Sequence, residues 1–157
     1  MYGMCGRYAI APSRADAWAS VGDLLGAGIQ AMLEELKPRF NVAPTTQIPI
    51  VIQDPETREI IPVLARWGFI PHWWSEPKPP TNTINARSEE AARKPMWRHA
   101  WLHSRCLIAA THWYEWRQEP LPKQPFALQP TDGRGFMFAG LYSKLAPAEG
   151  CGESTYT

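Results

Sequence analysis

Met4-Cys5-Gly6-Arg7-Tyr8 lies at the front of the chain and holds its most distinctive chemistry. If Met4 is the initiator, or is exposed by processing, its removal gives Cys5 a free α-amine beside its thiol. Reference pKa values of about 7.7–8.0 for the amine and about 8.5 for the thiol leave both partly deprotonated near neutral pH. An aldehyde meeting this pair forms an imine with the nitrogen, after which the sulfur closes a five-membered thiazolidine. An internal cysteine cannot do this, because its nitrogen is an amide. The alternative is a small apolar residue that begins a strand.

Glu115 stands between large aromatics in Trp113-Tyr114-Glu115-Trp116. Partial desolvation there would raise its pKa toward the range useful for general acid–base work. Otherwise it is a solvent-facing residue on the polar side of a strand. In Asn85-Ala86-Arg87, Asn offers a donor and acceptors and Arg a planar fork suited to phosphate; an Asx turn with a surface arginine is the plainer reading. Trp73 and Trp74, beside proline-rich turns, are placed to stack on exposed bases, whereas Trp67 reads as core. His99 and His103 are four apart on a predicted helix, but no third ligand stands at suitable spacing, so no metal site is expected. His72 and His112 have no partner visible in the sequence, and Cys106 reads as a buried thiol.

The elements that must position these groups are short. A strand is predicted from Cys5 to Ile10, then a helix N-terminus at Ser13 with Asp16. Trp18, Val21, Leu24, Leu25, Ile29, Met32, Leu33 and Leu36 recur at helical spacing. Gly22, Gly26 and Gly28 interrupt that pattern, so it fits one helix or two. Arg39 to Pro44 reads as an irregular connector, and 47–53 with 60–64 as a hairpin across Asp54-Pro55-Glu56-Thr57-Arg58. Arg66 to Trp74 suits a bent loop. Ser88 and Pro95 could each open a helix, and strands are predicted over 106–110, 113–116, 125–128, 136–141 and from Ser154. Strands outnumber helices and most connections resemble hairpins. The predicted fold class is therefore α+β, with a curved, barrel-like antiparallel sheet and a few flanking short helices.

The 157 residues suit a single domain with a real core, and no internal boundary or repeat is visible. A net charge of +1 requires any polyanion to be held by a local cluster of Arg and Lys. Three widely spaced cysteines without a Cys-x2-Cys pair argue against structural zinc or a disulfide framework. No apolar run is long enough to span a membrane and no signal-peptide pattern is present, so a reducing cytoplasmic setting is expected.

Taken in order, eight segments resemble the SOS response-associated peptidase (SRAP) family, which shields abasic sites in single-stranded DNA. They are Met4–Tyr8, Arg39–Pro44, Arg66–Trp74, Asn85–Glu89, Arg105–Ile108, Trp113–Trp116, Lys123–Phe126 and Ala139–Leu141. The resemblance implies Cys5 as the N-terminal nucleophile that bonds the ring-opened sugar aldehyde, and Asn85 as the group holding the sugar and the cysteine amine. It implies Glu115 as general acid–base in removing the initiator methionine, a peptidase-type hydrolysis, and in forming the crosslink, with lyase activity beside these. Arg7 and Arg87 would contact phosphates, Trp73 and Trp74 the bases flanking the lesion, and Asn41 would support the N-terminal segment. Arg93, Lys94 and Arg98 would join the arginines along one groove. No metal or organic cofactor is needed. The partner would be abasic single-stranded DNA, with no membrane involved, and the protein a monomer associated with a bacterial nucleoid.

Three positions depart from the family pattern. Met1-Tyr2-Gly3 precede Met4, leaving Cys5 internal as written; Ala109-Ala110-Thr111-His112 replaces a Pro-Ala-x-Gly turn; and the family's catalytic histidine falls after the last residue. The expectation is a C-terminally shortened SRAP-like domain over 1–157, with an open sheet edge at its end. Two other readings remain: a non-covalent single-strand-binding module, and a cysteine peptidase acting on other proteins.

Overall fold

The computed structural model describes residues 6–76, 78–116, 124–145 and 154–156. Cys5 lies outside the described residues. The elements run β1 (Tyr8–Ile10), α1 (Ala19–Leu25), α2 (Ala27–Glu35), β2 (Arg39–Val42), β3 (Gln47–Gln53), β4 (Ile60–Arg66), α3 (Ser88–Ala91), α4 (Arg98–His103), β5 (Arg105–Ala110), β6 (His112–Trp116), β7 (Pro125–Leu128), β8 (Phe136–Leu141), β9 (Ser143–Leu145) and β10 (Ser154–Tyr156). The fold is α+β, as predicted. Two sheets, β2-β1-β6-β7 and β8-β5-β3-β4-β10-β9, take the place of one barrel-like sheet, and among the described residues neither is closed into a barrel. β1 pairs antiparallel with β2 and β6, β3 with β4 and β5, β6 with β7 and β10 with β9, whereas β10 runs parallel to β4, Tyr156 opposite Arg66.

The chain gathers into two compact units. One comprises the segment up to Ala43 with Ala109–Phe138, the other Pro44–Ile108 with Ala139 onward.

In the first unit, helix formation begins later than the sequence suggests. Ser13 and Asp16 do not cap a helix; α1 starts at Ala19 with Trp18 as an N-cap lacking a side-chain hydrogen bond. Asp16 is instead paired with Arg14, Oδ1 to Nε at 2.7 Å. Gly26, at φ +96°, separates α1 from α2, a backbone turn that a β-carbon would strain. Trp18, Ile29, Leu33, Ile10 and Val42 supply buried apolar surface. The segment at 39–44, predicted as a connector, contains β2, because Val42 falls opposite Tyr8 and Arg39 opposite Ile10.

A side-chain chain ties β2 to β6. The Tyr114 hydroxyl donates to the Phe40 carbonyl at 2.7 Å, leaving its oxygen to accept from His112 Nε2 at 3.1 Å. His112 Nδ1 meets Thr111 Oγ1 at 3.1 Å. His112, read as partnerless, is thus held on both ring nitrogens. Burial lowers its pKa below the ordinary value. A depressed imidazole stabilises the fold above the unfolded pKa of about 6.5, and that contribution is lost as pH falls through the folded value. Urea midpoints should therefore drop between pH 7.5 and 5, and His112→Gln should flatten the drop. Tyr114→Phe should cost about 0.5–1.5 kcal/mol at pH 7.5. A variant as stable as the parent would mean the Tyr114–Phe40 bond contributes nothing.

In the second unit, β3 is buried along Ile48, Ile50, Val51 and Ile52 and pairs through its whole length with β4. The connecting turn forms because Asp54 Oδ1 accepts from the backbone N–H groups of Glu56 and Thr57 at 2.9 and 2.8 Å. Those bonds hold the Asp54 carboxyl below its usual pKa. Phe69, Ala91, Trp97 and Ala100 form a further core cluster. Among the described residues no helix is long and apolar enough to cross a membrane.

Candidate functional site

The predicted site residues fall in both units, and each group is described within its own. In the first unit Arg7, Asn41 and Glu115 share the four-stranded sheet or its leading segment. Glu115 lies on β6, an interior strand between β1 and β7, opposite Phe126. Alternation puts its side chain on the same face as Trp113. Trp113 meets Phe136 and Phe138 edge-on at 5.6 and 6.2 Å, and Tyr8 meets Phe138 at 5.9 Å. Glu115 is half-buried, and desolvation pushes its carboxyl above its ordinary pKa.

β1 runs against β6 with Tyr8 opposite Trp113, and the Tyr114 N–H donates to the Arg7 carbonyl at 3.0 Å. The same count brings Gly6 alongside Glu115. Arg7 is half-buried, its Nη1 donating to the Gly6 carbonyl at 2.9 Å. Asn41 is exposed on β2, one residue after the carbonyl that receives the Tyr114 hydroxyl.

In the second unit Trp67 orders the segments that hold the remaining residues. It is buried, as predicted, and its indole N–H donates to the Ile84 carbonyl at 2.9 Å, immediately before Asn85. The Phe69 N–H donates to the Thr83 carbonyl at 3.1 Å. These two bonds fasten the 67–74 loop to the approach of Asn85-Ala86-Arg87. Gly68, at φ +134°, allows the turn between them. Asn85 is half-buried and Arg87 exposed at the start of α3.

The two tryptophans differ. Trp74 is half-buried and anchored, its indole N–H donating to the Lys78 carbonyl at 2.8 Å. Trp73 is 49% exposed, so its ring is the more open of the two for stacking. The basic groove expected from the sequence is only partly available: Lys94 pairs with Glu90, and Arg93 Nη2 donates to the Glu89 carbonyl at 2.9 Å.

His72, read as partnerless, packs against His99 with ring centroids 4.4 Å apart and planes tilted by 46°, and His99 against His103 at 4.9 Å and 52°. The second contact was legible in the i, i+4 spacing; the first was not. Among the described residues no group of three or more His, Cys, Asp or Glu side chains is arranged to hold a metal.

The sequence pattern of the SOS response associated peptidase (SRAP) family matches residues 4–157. The chain belongs to the SRAP family. Among SRAP relatives, the abasic site processing protein YedK of Escherichia coli is 36% identical over 140 residues, covering 89% of this chain and 60% of its own. YoqW of Bacillus subtilis, also named an abasic site processing protein, is 37% identical over 117 residues, covering 74% of this chain and 51% of its own. This SRAP chain thus spans about half to three-fifths of the curated relatives it matches.

Solved structures share the fold. A protein from Bacteroides thetaiotaomicron superposes with a TM-score of 0.72 at 22% identity, covering 97% of this chain and 66% of the other. One from Bordetella bronchiseptica gives 0.71 at 23% identity, covering 97% and 69%.

Proposed function

We propose that this SRAP chain captures abasic sites in single-stranded DNA as a covalent thiazolidine through Cys5, after hydrolysis of the Met4–Cys5 peptide bond frees its amine. The observation that carries the reading is Glu115: a half-buried carboxyl with a raised pKa, on the strand alongside Gly6, the neighbour of Cys5. The names of YedK and YoqW supply the substrate class.

The chemistry balances without a cofactor. The Cys5 amine adds to the aldehyde of the ring-opened sugar, and loss of water gives an imine. Glu115, whose carboxyl burial pushes above its ordinary pKa, donates the proton that lets the hydroxyl leave as water. The thiolate then adds to the imine carbon, forming the C–S bond, and the nitrogen takes up a proton. The same carboxylate, deprotonated, serves as base for the water that cleaves Met4–Cys5. Asn85 holds the sugar and the amine, Arg7 and Arg87 bind phosphates, Trp73 and Trp74 meet flanking bases, and Asn41 supports the N-terminal segment. Recognition by stacking and backbone contact suits a lesion with no base to read. The chain acts as a monomeric single domain in the cytoplasm, at the nucleoid.

The test compares chains that begin at Met1, at Met4 and at Cys5, each N-terminus verified by mass spectrometry. Each is incubated with a labelled single strand bearing one abasic site and run on a denaturing gel. The Cys5 start should give a denaturation-resistant adduct and Cys5→Ala none. Binding without any adduct from a verified N-terminal cysteine would sink the covalent reading and leave a non-covalent strand binder. Cleavage of unrelated proteins would point instead to a general peptidase.

A further inference from the structure

We infer that the adjoining imidazoles of His72, His99 and His103, with Lys144 and Trp73 beside them, form a pH-dependent contact for the phosphodiester backbone of a single nucleic-acid strand. This rests on the proposed DNA-binding reading for the identity of the polyanion.

The geometry comes first. The i, i+4 spacing on α4 sets His99 and His103 on one face, and the 69–74 loop lays His72 over His99. All three side chains are exposed, so packing does not account for the row. A cavity of about 100 Å³ opens beside it, large enough for a phosphate group with its waters, lined by His72, His99, Trp73 and Lys144 among others. A strand whose base stacks on Trp73 would therefore carry its phosphate past the imidazoles.

The charges decide the ligand's sign. Among the described residues no carboxylate lines the cavity. Lys144 enters from β9 and Tyr142 from the residue before it, the phenol kept neutral by burial. Arg98 sits on α4, and Arg105 opens β5 beside Ser104. The acidic neighbour is Asp54, which acts electrostatically on Lys144 and Tyr142 rather than on the rings. His99 is held below its ordinary pKa by desolvation and then by His72 and His103. Adjacent imidazolium ions repel, which disfavours protonation of His99 until an anion arrives. A phosphodiester, anionic throughout the accessible range, offsets that repulsion, and by linkage strand binding and proton uptake reinforce each other. A metal is the other natural ligand of three imidazoles, and their arrangement does not suit one.

The experiment measures binding of an unmodified oligothymidylate by fluorescence anisotropy across a salt series at pH 8 and 5.5. Affinity should rise about tenfold at pH 5.5, and the slope of log K against log salt should steepen by about one to two. The triple variant His72→Gln/His99→Gln/His103→Gln should lose both changes. No rise in the parent, an undiminished rise in the variant, or a rise that requires added Zn²⁺ and vanishes in EDTA would each overturn the inference. If the variant fails to fold, proton NMR of the parent serves: oligothymidylate should raise the His99 pKa by about one unit, and an unchanged value would refute the contact. The oligonucleotide has no aldehyde, so the two readings fail separately. Loss of the abasic adduct with the pH response intact removes only the covalent chemistry, and the reverse removes only the imidazole contact.

Discussion

Replacing Glu115 with glutamine is expected to slow adduct formation on an abasic single strand by about 10²–10⁴-fold. Glutamine preserves the shape on β6 but neither donates a carboxyl proton nor accepts one back. Single-turnover rates across pH give the sharper reading. Burial lifts the Glu115 pKa above the ordinary value of about 4.3, so the carboxyl limb of the profile should lie above that value and vanish in the variant. A rate within threefold of the parent, with the limb intact, would remove Glu115 from the chemistry. Stability should respond in the opposite sense to activity. A raised carboxyl contributes fully below its unfolded pKa, and the contribution is lost as pH rises through the folded value. The variant should therefore lose less stability than the parent between pH 4 and 8.

The second large effect lies away from the chemistry. Trp18→Ala should destabilise the chain by about 3–5 kcal/mol, measured by urea unfolding. Trp18 is 1% exposed, and its ring lies so close to Gly135 that a β-carbon there would stand 2.3 Å from it. The Gly135 N–H also donates to the Ala17 carbonyl at 2.9 Å. Gly135→Ala should accordingly cost about 1–3 kcal/mol by forcing the indole aside. Trp18→Phe should cost less than Trp18→Ala, because the buried indole N–H has no hydrogen-bond partner among the described residues and its removal leaves nothing stranded. Equal losses for Phe and Ala would show that the indole's full width, not ring burial, sets the stability.

How far these positions could be read from the sequence follows from the range of the interactions. The β3–β4 hairpin was legible because alternation and an Asx turn are local. The desolvation of Glu115 was foreshadowed by its aromatic neighbours in the chain, whereas the contacts of Trp113 with Phe136 and Phe138 join strands about twenty residues apart and were not. β2 was missed because Arg39-Phe40-Asn41-Val42 becomes a strand only through pairing with β1. The His72–His99 contact was hidden for the same reason, since nothing in a sequence separation of this size fixes a ring contact. Trp67 was read correctly as core, but its hold on Ile84, and through it on the approach to Asn85, is visible only once the loop is closed.

The division of the chain at Ala43 and Ala109 has a consequence for biogenesis. The unit that carries Glu115 is assembled from two stretches separated by residues 44–108, the greater part of the other unit. During vectorial synthesis the leading stretch leaves the ribosome long before β6, its partner, has been translated. Bringing them together in an otherwise unfolded chain requires closing a loop at an entropic cost of about 3–4 kcal/mol. Prior folding of the inserted hairpin would shorten that loop and lower the cost. Until β6 is made, the leading stretch lacks its partner, and Glu115 joins that unit only when the ribosome has passed the strand on which its carboxyl sits.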